Sequence, residues 1–96
     1  MLRYKLAIIV HEWVRSIADE YELIDAEEEQ QHELLKLALT FTANFITLES
    51  DSLERLGEEL EKANASLHYI YIKPRDGQLT LTVGVIAGPI RGEGRG

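Results

Sequence analysis

Residues 25–45 read DAEEEQQHELLKLALTFTANF, and the stretch changes character at its middle. The nine residues from Asp25 to Glu33 carry no apolar side chain larger than alanine, and the twelve from Leu34 to Phe45 carry little else of any size. The contrast constrains the fold strongly, because the apolar half must be buried and the acidic half must stay in water. At helical spacing the stretch predicts a helix over about 26–48. Asp25 and Glu28 stand at capping-box spacing, and Glu27, Glu28 and Glu29 sit where a helix dipole favours negative charge. Leu34, Leu37, Phe41, Phe45 and Leu48 then form one stripe. Leu35, Leu39 and Ile46 form a second, with Ala38 and Thr42 between them. Together the stripes cover over half of the circumference, where a helix covered on one side needs about a third. Such a helix calls for several covering elements or a second copy of the chain, so a homodimer is expected.

The flanking segments complete an α+β pattern. Leu2, Leu6, Ile9, Val10, Trp13, Val14, Ile17, Tyr21 and Ile24 recur at helical spacing and predict a first helix over about 2–24. Ile8 falls off that stripe. Tyr4, Leu6, Ile8 and Val10 also alternate, which leaves a short strand over 4–10 as the competing reading. A third, surface helix is expected at 52–64 with the narrow stripe Leu53, Leu56, Leu60 and Ala63. Gly57 inside it costs about 1 kcal/mol relative to alanine, a cost that close packing would explain. The period then changes to two. LHYIYIK (67–73) and QLTLTVGVI (78–86) predict a β-hairpin reversing at PRDG. With Lys73 opposite Gln78, one face holds His68, Ile70, Ile72, Leu79, Leu81 and Val83. The other holds Leu67, Tyr69, Tyr71, Thr80 and Thr82. Residues 1–87 form one expected domain and the Gly-rich 88–96 a flexible tail.

Composition narrows the function classes. The 96 residues include no cysteine, which rules out disulfides, thiolate metal sites and cysteine nucleophiles. The formal charge of −7 is concentrated at residues 25–66, while 67–96 carry a small excess of bases. Such a field favours basic partners and repels nucleic acid. The apolar run LAIIV near the N-terminus is too short for a secretory core. No segment approaches membrane-spanning length. A cytoplasmic location without membrane association is expected.

The motifs of catalysis are incomplete. VHEWVR begins like a zinc-protease helix, but the second histidine position is Arg15. Glu29 and His32 have a spacing seen in carboxylate-bridged metal sites, with Glu28 and Glu33 beside them. Those sites need a second such pair facing a core. No phosphate loop or catalytic triad is legible, so neither enzyme activity nor a cofactor is expected.

Three helices and a hairpin in this order resemble a winged helix. That resemblance implies nucleic-acid binding through the hairpin and the basic tail. The expected middle helix is longer than that pattern allows, and the third is acidic where a recognition helix is basic. The leading expectation is instead a small acidic protein-binding module, a regulator, inhibitor or adaptor of a basic partner. Its binding surface would be Glu27, Glu28, Glu29 and Glu33 with Glu54, Glu58, Glu59 and Glu61. An alternative surface is Tyr69, Tyr71, Thr80 and Thr82 with Lys73 and Arg75. Metal binding at Glu29 and His32 ranks third.

Overall fold

A computed structural model describes residues 2–88. Its order is α1 (Leu2–Ile17), β1 (Ala18–Asp19), β2 (Glu22–Gln31), β3 (Leu34–Ala43), β4 (Phe45–Ile46), α2 (Ser50–Lys62), β5 (Ala65–Arg75) and β6 (Gln78–Ala87). The fold is α+β. Four antiparallel strands make the main sheet in the order β2-β3-β6-β5, and β1 pairs with β4 in a small second ladder. Both helices lie on one side of the main sheet, α1 against β3 and α2 against β5, and they touch each other. Apart from Gly88, the tail at 88–96 lies outside the described residues.

The middle helix is replaced by a hairpin. Residues 34–43 alternate, with Leu35, Leu37, Leu39, Phe41 and Ala43 buried and Lys36, Ala38, Thr40 and Thr42 half-buried. That is the period of a strand, and the branched threonines suit a pleated surface. β2 pairs with β3 from Gln31 opposite Leu34 to Glu22 opposite Thr42, with a bulge at Ile24. The chain reverses at His32–Glu33, where His32 takes φ 56°. Asp25 is therefore an exposed strand residue and caps no helix. The wide apolar arc dissolves with it, since the leucines and Phe41 face α1 and α2 while the residues between them face away.

The first helix ends at Ile17, seven residues before the expected Ile24, because Ala18 and Asp19 pair with Ile46 and Phe45. Glu20 then turns the chain at φ 51°. The helix holds over 4–10, with Leu6, Val10, Trp13, Val14 and Ile17 buried and Ile8 61% exposed. α2 closely follows the expected range and buries Leu56 and Leu60, while Leu53 stays partly exposed. Trp13 Nε1 donates to the Ser52 carbonyl at 2.7 Å, which ties α1 to the first turn of α2. Gly57 packs against nothing, because a Cβ there would meet no atom within 4 Å.

The C-terminal hairpin forms with a tighter turn. Asp76 and Gly77 alone make the reversal, at φ 50° and 79°, as the right-handed strand twist favours in two-residue loops. Arg75 thus faces Gln78, and Lys73 faces Thr80 instead of Gln78. The shift is two residues, so the faces hold from Tyr69 onward, with Ile70 and Ile72 on the helix side and Tyr69 and Tyr71 on the other, while the expected sides of Leu67 and His68 are reversed. A bulge at His68 returns Leu67 to the core side, opposite Val85. Phe41, Leu6, Leu56, Leu60, Leu81, Val10, Val14, Val83 and Val85 are the largest fully buried side chains. Each stabilises the fold by about 1.5–3 kcal/mol relative to exposure.

Candidate functional site

Among the described residues, one face of the main sheet carries both helices and the other carries none. The strand registers arrange that open face in straight rows. Glu29, Lys36, Ile86 and Ser66 make one row. Glu27, Ala38, Gly84 and Tyr69 make the next. Then follow Asp25, Thr40, Thr82 and Tyr71, and after them Glu22, Thr42, Thr80 and Lys73. Read down the strands, β2 supplies a column of acids, while β3 and β6 supply mostly small or hydroxyl side chains. β5 supplies aromatics and then bases, ending at Arg75.

The centre of the face is low because its side chains are short. Thr40 and Thr82 share a hydrogen bond at 3.0 Å across β3 and β6. Thr80 donates to the Lys73 carbonyl at 3.1 Å. Glu27, Glu29, Lys36, Ala38, His68, Tyr69 and Gly84 surround a shallow depression of about 250 Å³. Tyr69 and Tyr71 are 42% and 57% exposed, so both rings present area to a ligand. The depression thus combines carboxylates, an amine, an imidazole and a phenol around a neutral floor. It has the makings of a binding surface for polar and charged groups.

The expected acidic surface is divided by the fold. Glu27 and Glu29 border the depression on the open face. Glu28, one residue between them, points to the helix side and pairs with Arg3 at 3.0 Å. Glu33 is in the β2–β3 turn. Glu54, Glu58, Glu59 and Glu61 belong to α2, in the opposite layer, and Glu59 pairs with Lys62 at 3.2 Å. The eight acids form no single surface. The alternative set does come together: Tyr69, Tyr71, Lys73 and Arg75 line β5, and Thr80 and Thr82 stand beside them on β6.

The Glu29–His32 pairing also comes apart, since Glu29 is on the strand and His32 in the turn. Among the described residues no cluster of three histidine, aspartate or glutamate side chains is placed to hold a metal. A second recess of about 400 Å³ runs between the helices, with Ile8, Ile9, Trp13 and Leu56 along it and Glu12, Glu58 and Glu59 at its rim. Two of those three acids are already engaged, Glu12 with Arg15 and Glu59 with Lys62.

Sequence reasoning missed Lys36, Ala38, His68 and Gly84 as parts of the site. Gly84 had a signal, because an isolated glycine inside a strand pattern often marks a close approach by another group. Ala38 and Lys36 had none while the segment was read as a helix. Among the described residues no helix is long and apolar enough to cross a membrane. Comparison of the chain with protein-family models, with curated proteins and with solved structures finds no match.

Proposed function

We propose that this protein is a non-enzymatic binding module that takes a basic polypeptide segment on the open face of its sheet, acting as a regulator, inhibitor or adaptor. One observation carries the reading: the column of acids on β2 faces a column of aromatics on β5 across a floor of short side chains. A segment bearing lysine or arginine meets carboxylates on one side and π-faces on the other, and both attract cations. The net charge of −7 adds long-range steering toward such a segment. The partner remains basic, as the composition suggested, but the proposed surface is Glu22, Asp25, Glu27 and Glu29 with Tyr69 and Tyr71.

A second reading has its own observation. Tyr69, Tyr71, Lys73 and Arg75 share one strand, and aromatic platforms beside bases stack single-stranded nucleic acid. The acids of β2 oppose it, since a phosphate chain crossing the face would run beside four carboxylates.

Amide chemical-shift mapping separates the readings. The titrants are a lysine- and arginine-containing peptide, an acidic peptide and a single-stranded oligonucleotide. The basic peptide should shift amides of β2, β3, β5 and β6 around the depression, less so at high salt. The oligonucleotide should leave them in place. Shifts from the oligonucleotide alone would establish the second reading. Shifts confined to α1 and α2, or none from any titrant, would refute both.

A further inference from the structure

The row Glu27–Ala38–Gly84–Tyr69 has a feature that the neighbouring rows lack. The Tyr69 ring does not stand away from the sheet but lies across Gly84. A Cβ built on Gly84 would fall 2.7 Å from Tyr69 Cζ and 2.8 Å from Cδ2, inside van der Waals contact. Any side chain at position 84 would therefore displace the ring. Tyr71, in the next row, faces Thr82 and has no such bed. Tyr69 is thus held with one face on the backbone and the His68 ring edge-on at 5.3 Å, and the residue keeps 42% exposure.

At the far end of the same row stands Glu27, opposite Ala38. Three strand spacings separate the ends, about 14 Å between backbones, by the usual ~4.8 Å per strand. The Tyr69 ring covers Gly84, so Ala38 alone lies between it and Glu27 in this row, and Ala38 adds only a methyl group. Glu29, in the row beside, faces Lys36 and already has a base opposite it. Glu27 has an alanine opposite and, among the described residues, takes part in no ion pair.

We infer that this row selects an arginine side chain of the bound segment, its guanidinium stacked on the outward face of Tyr69 and its fork directed at Glu27. The inference rests on the open face being the binding face. A flat platform next to a carboxylate matches a planar, delocalised cation with forked donors. It matches a compact ammonium less well, because lysine gains the charge but neither the stacking nor the bidentate geometry. Gly84 acts as a positioning residue: it touches no ligand but sets the ring that does.

The test uses three capped peptides of alternating serine and basic residues, carrying arginine, lysine or the neutral isostere citrulline. Affinities are measured by fluorescence anisotropy for the intact chain and for Gly84→Ala and Tyr69→Leu. The arginine peptide should bind about 3- to 5-fold more tightly than the lysine peptide, the scale of one exposed cation–π contact. Citrulline should bind more weakly than either. Gly84→Ala should bring arginine down to the lysine level, costing the arginine peptide more affinity than the lysine peptide. Tyr69→Leu should likewise erase the arginine preference, lowering arginine binding more than lysine binding, and it supplies the result if Gly84→Ala fails to fold. Equal binding of arginine and lysine at the open face would overturn arginine selection and leave the basic-segment reading intact. An arginine preference that persists in both variants would also overturn it. Absence of binding by every peptide would overturn both.

Discussion

Among the described residues two glycines lie within regular structure, and their surroundings predict opposite responses to the same substitution. Gly57 is inside α2 with open space where a Cβ would go. Gly57→Ala should raise stability by up to about 1 kcal/mol, since alanine loses less backbone freedom on folding and favours the helix. Urea denaturation followed by circular dichroism measures it. An unchanged or lowered midpoint would mean that position 57 is more crowded than the structure shows. The reason for Gly57 was misjudged from sequence, because spacing along a helix says nothing of what lies opposite. Gly84 is the reverse case. Its isolation within TVGV was a legible sign of close approach, but the approaching group, Tyr69, is set by a register that no local pattern reveals. The same distinction separates buried from exposed positions elsewhere. Phe41 has no solvent exposure, so Phe41→Ala should cost about 3–5 kcal/mol through lost transfer energy and a residual cavity. Asp25→Ala should stay within about 0.5 kcal/mol in the same assay, as a surface change with no cap to lose. A loss near 1 kcal/mol at Asp25 would restore the helix N-terminus that the sequence suggested.

At the scale of elements, the β2–β3 hairpin is where expectation and structure part, and the cause is physical. β3 announced itself: Leu35, Leu37, Leu39 and Phe41 alternate with Lys36, Ala38, Thr40 and Thr42. The same leucines also fall on helical stripes, and short apolar runs satisfy both periods. β2 could not break the tie. It is an edge strand exposed along all ten residues, so neither face imposes alternation. Its acids meanwhile imitate a helix N-terminus. The turn at His32–Glu33 lacks the Asn-Gly or Asp-Gly signal that marks the β5–β6 turn. That second hairpin was legible for the same reasons, with its alternation unambiguous and Asp76–Gly77 at the reversal. The hairpin predicts a parity effect that a helix does not. Leu37→Glu buries a charge against the helices and should unfold the domain or cost several kcal/mol. Ala38→Glu, one residue on, faces solvent and should be tolerated within about 1 kcal/mol. Thermal melts of the two variants decide the matter, and comparable losses at both positions would contradict the strand.

At the scale of the molecule, the described residues leave the sheet with two unpaired edges and one face without a helix. A two-fold pairing of β2 edges would set acids of one copy against acids of the other, which is unfavourable. Pro74 and the bulge at His68 interrupt the β5 edge. The helix whose apolar breadth motivated a homodimer is absent. A monomer at about 100 μM in sedimentation equilibrium is therefore the expected state, with charges this concentrated opposing association. A stable dimer there would show that one of these edges, or the open face, is self-complementary.

The acidic composition pointed to a basic partner, and the surface proposed for it lies on the sheet, distinct from the acids of α2. The most direct test compares two charge-neutralised variants against one basic peptide. Glu27→Gln with Glu29→Gln removes the carboxylates of the open face. Glu58→Gln, Glu59→Gln and Glu61→Gln remove more charge from the helix layer. If the open face binds, the first variant should weaken affinity by about 3- to 10-fold, the scale of two exposed charge contacts. The second should change it less than about 2-fold, through long-range steering alone. The reverse order, with the α2 variant losing affinity and the β2 variant keeping it, would contradict the account and place the partner on the helices.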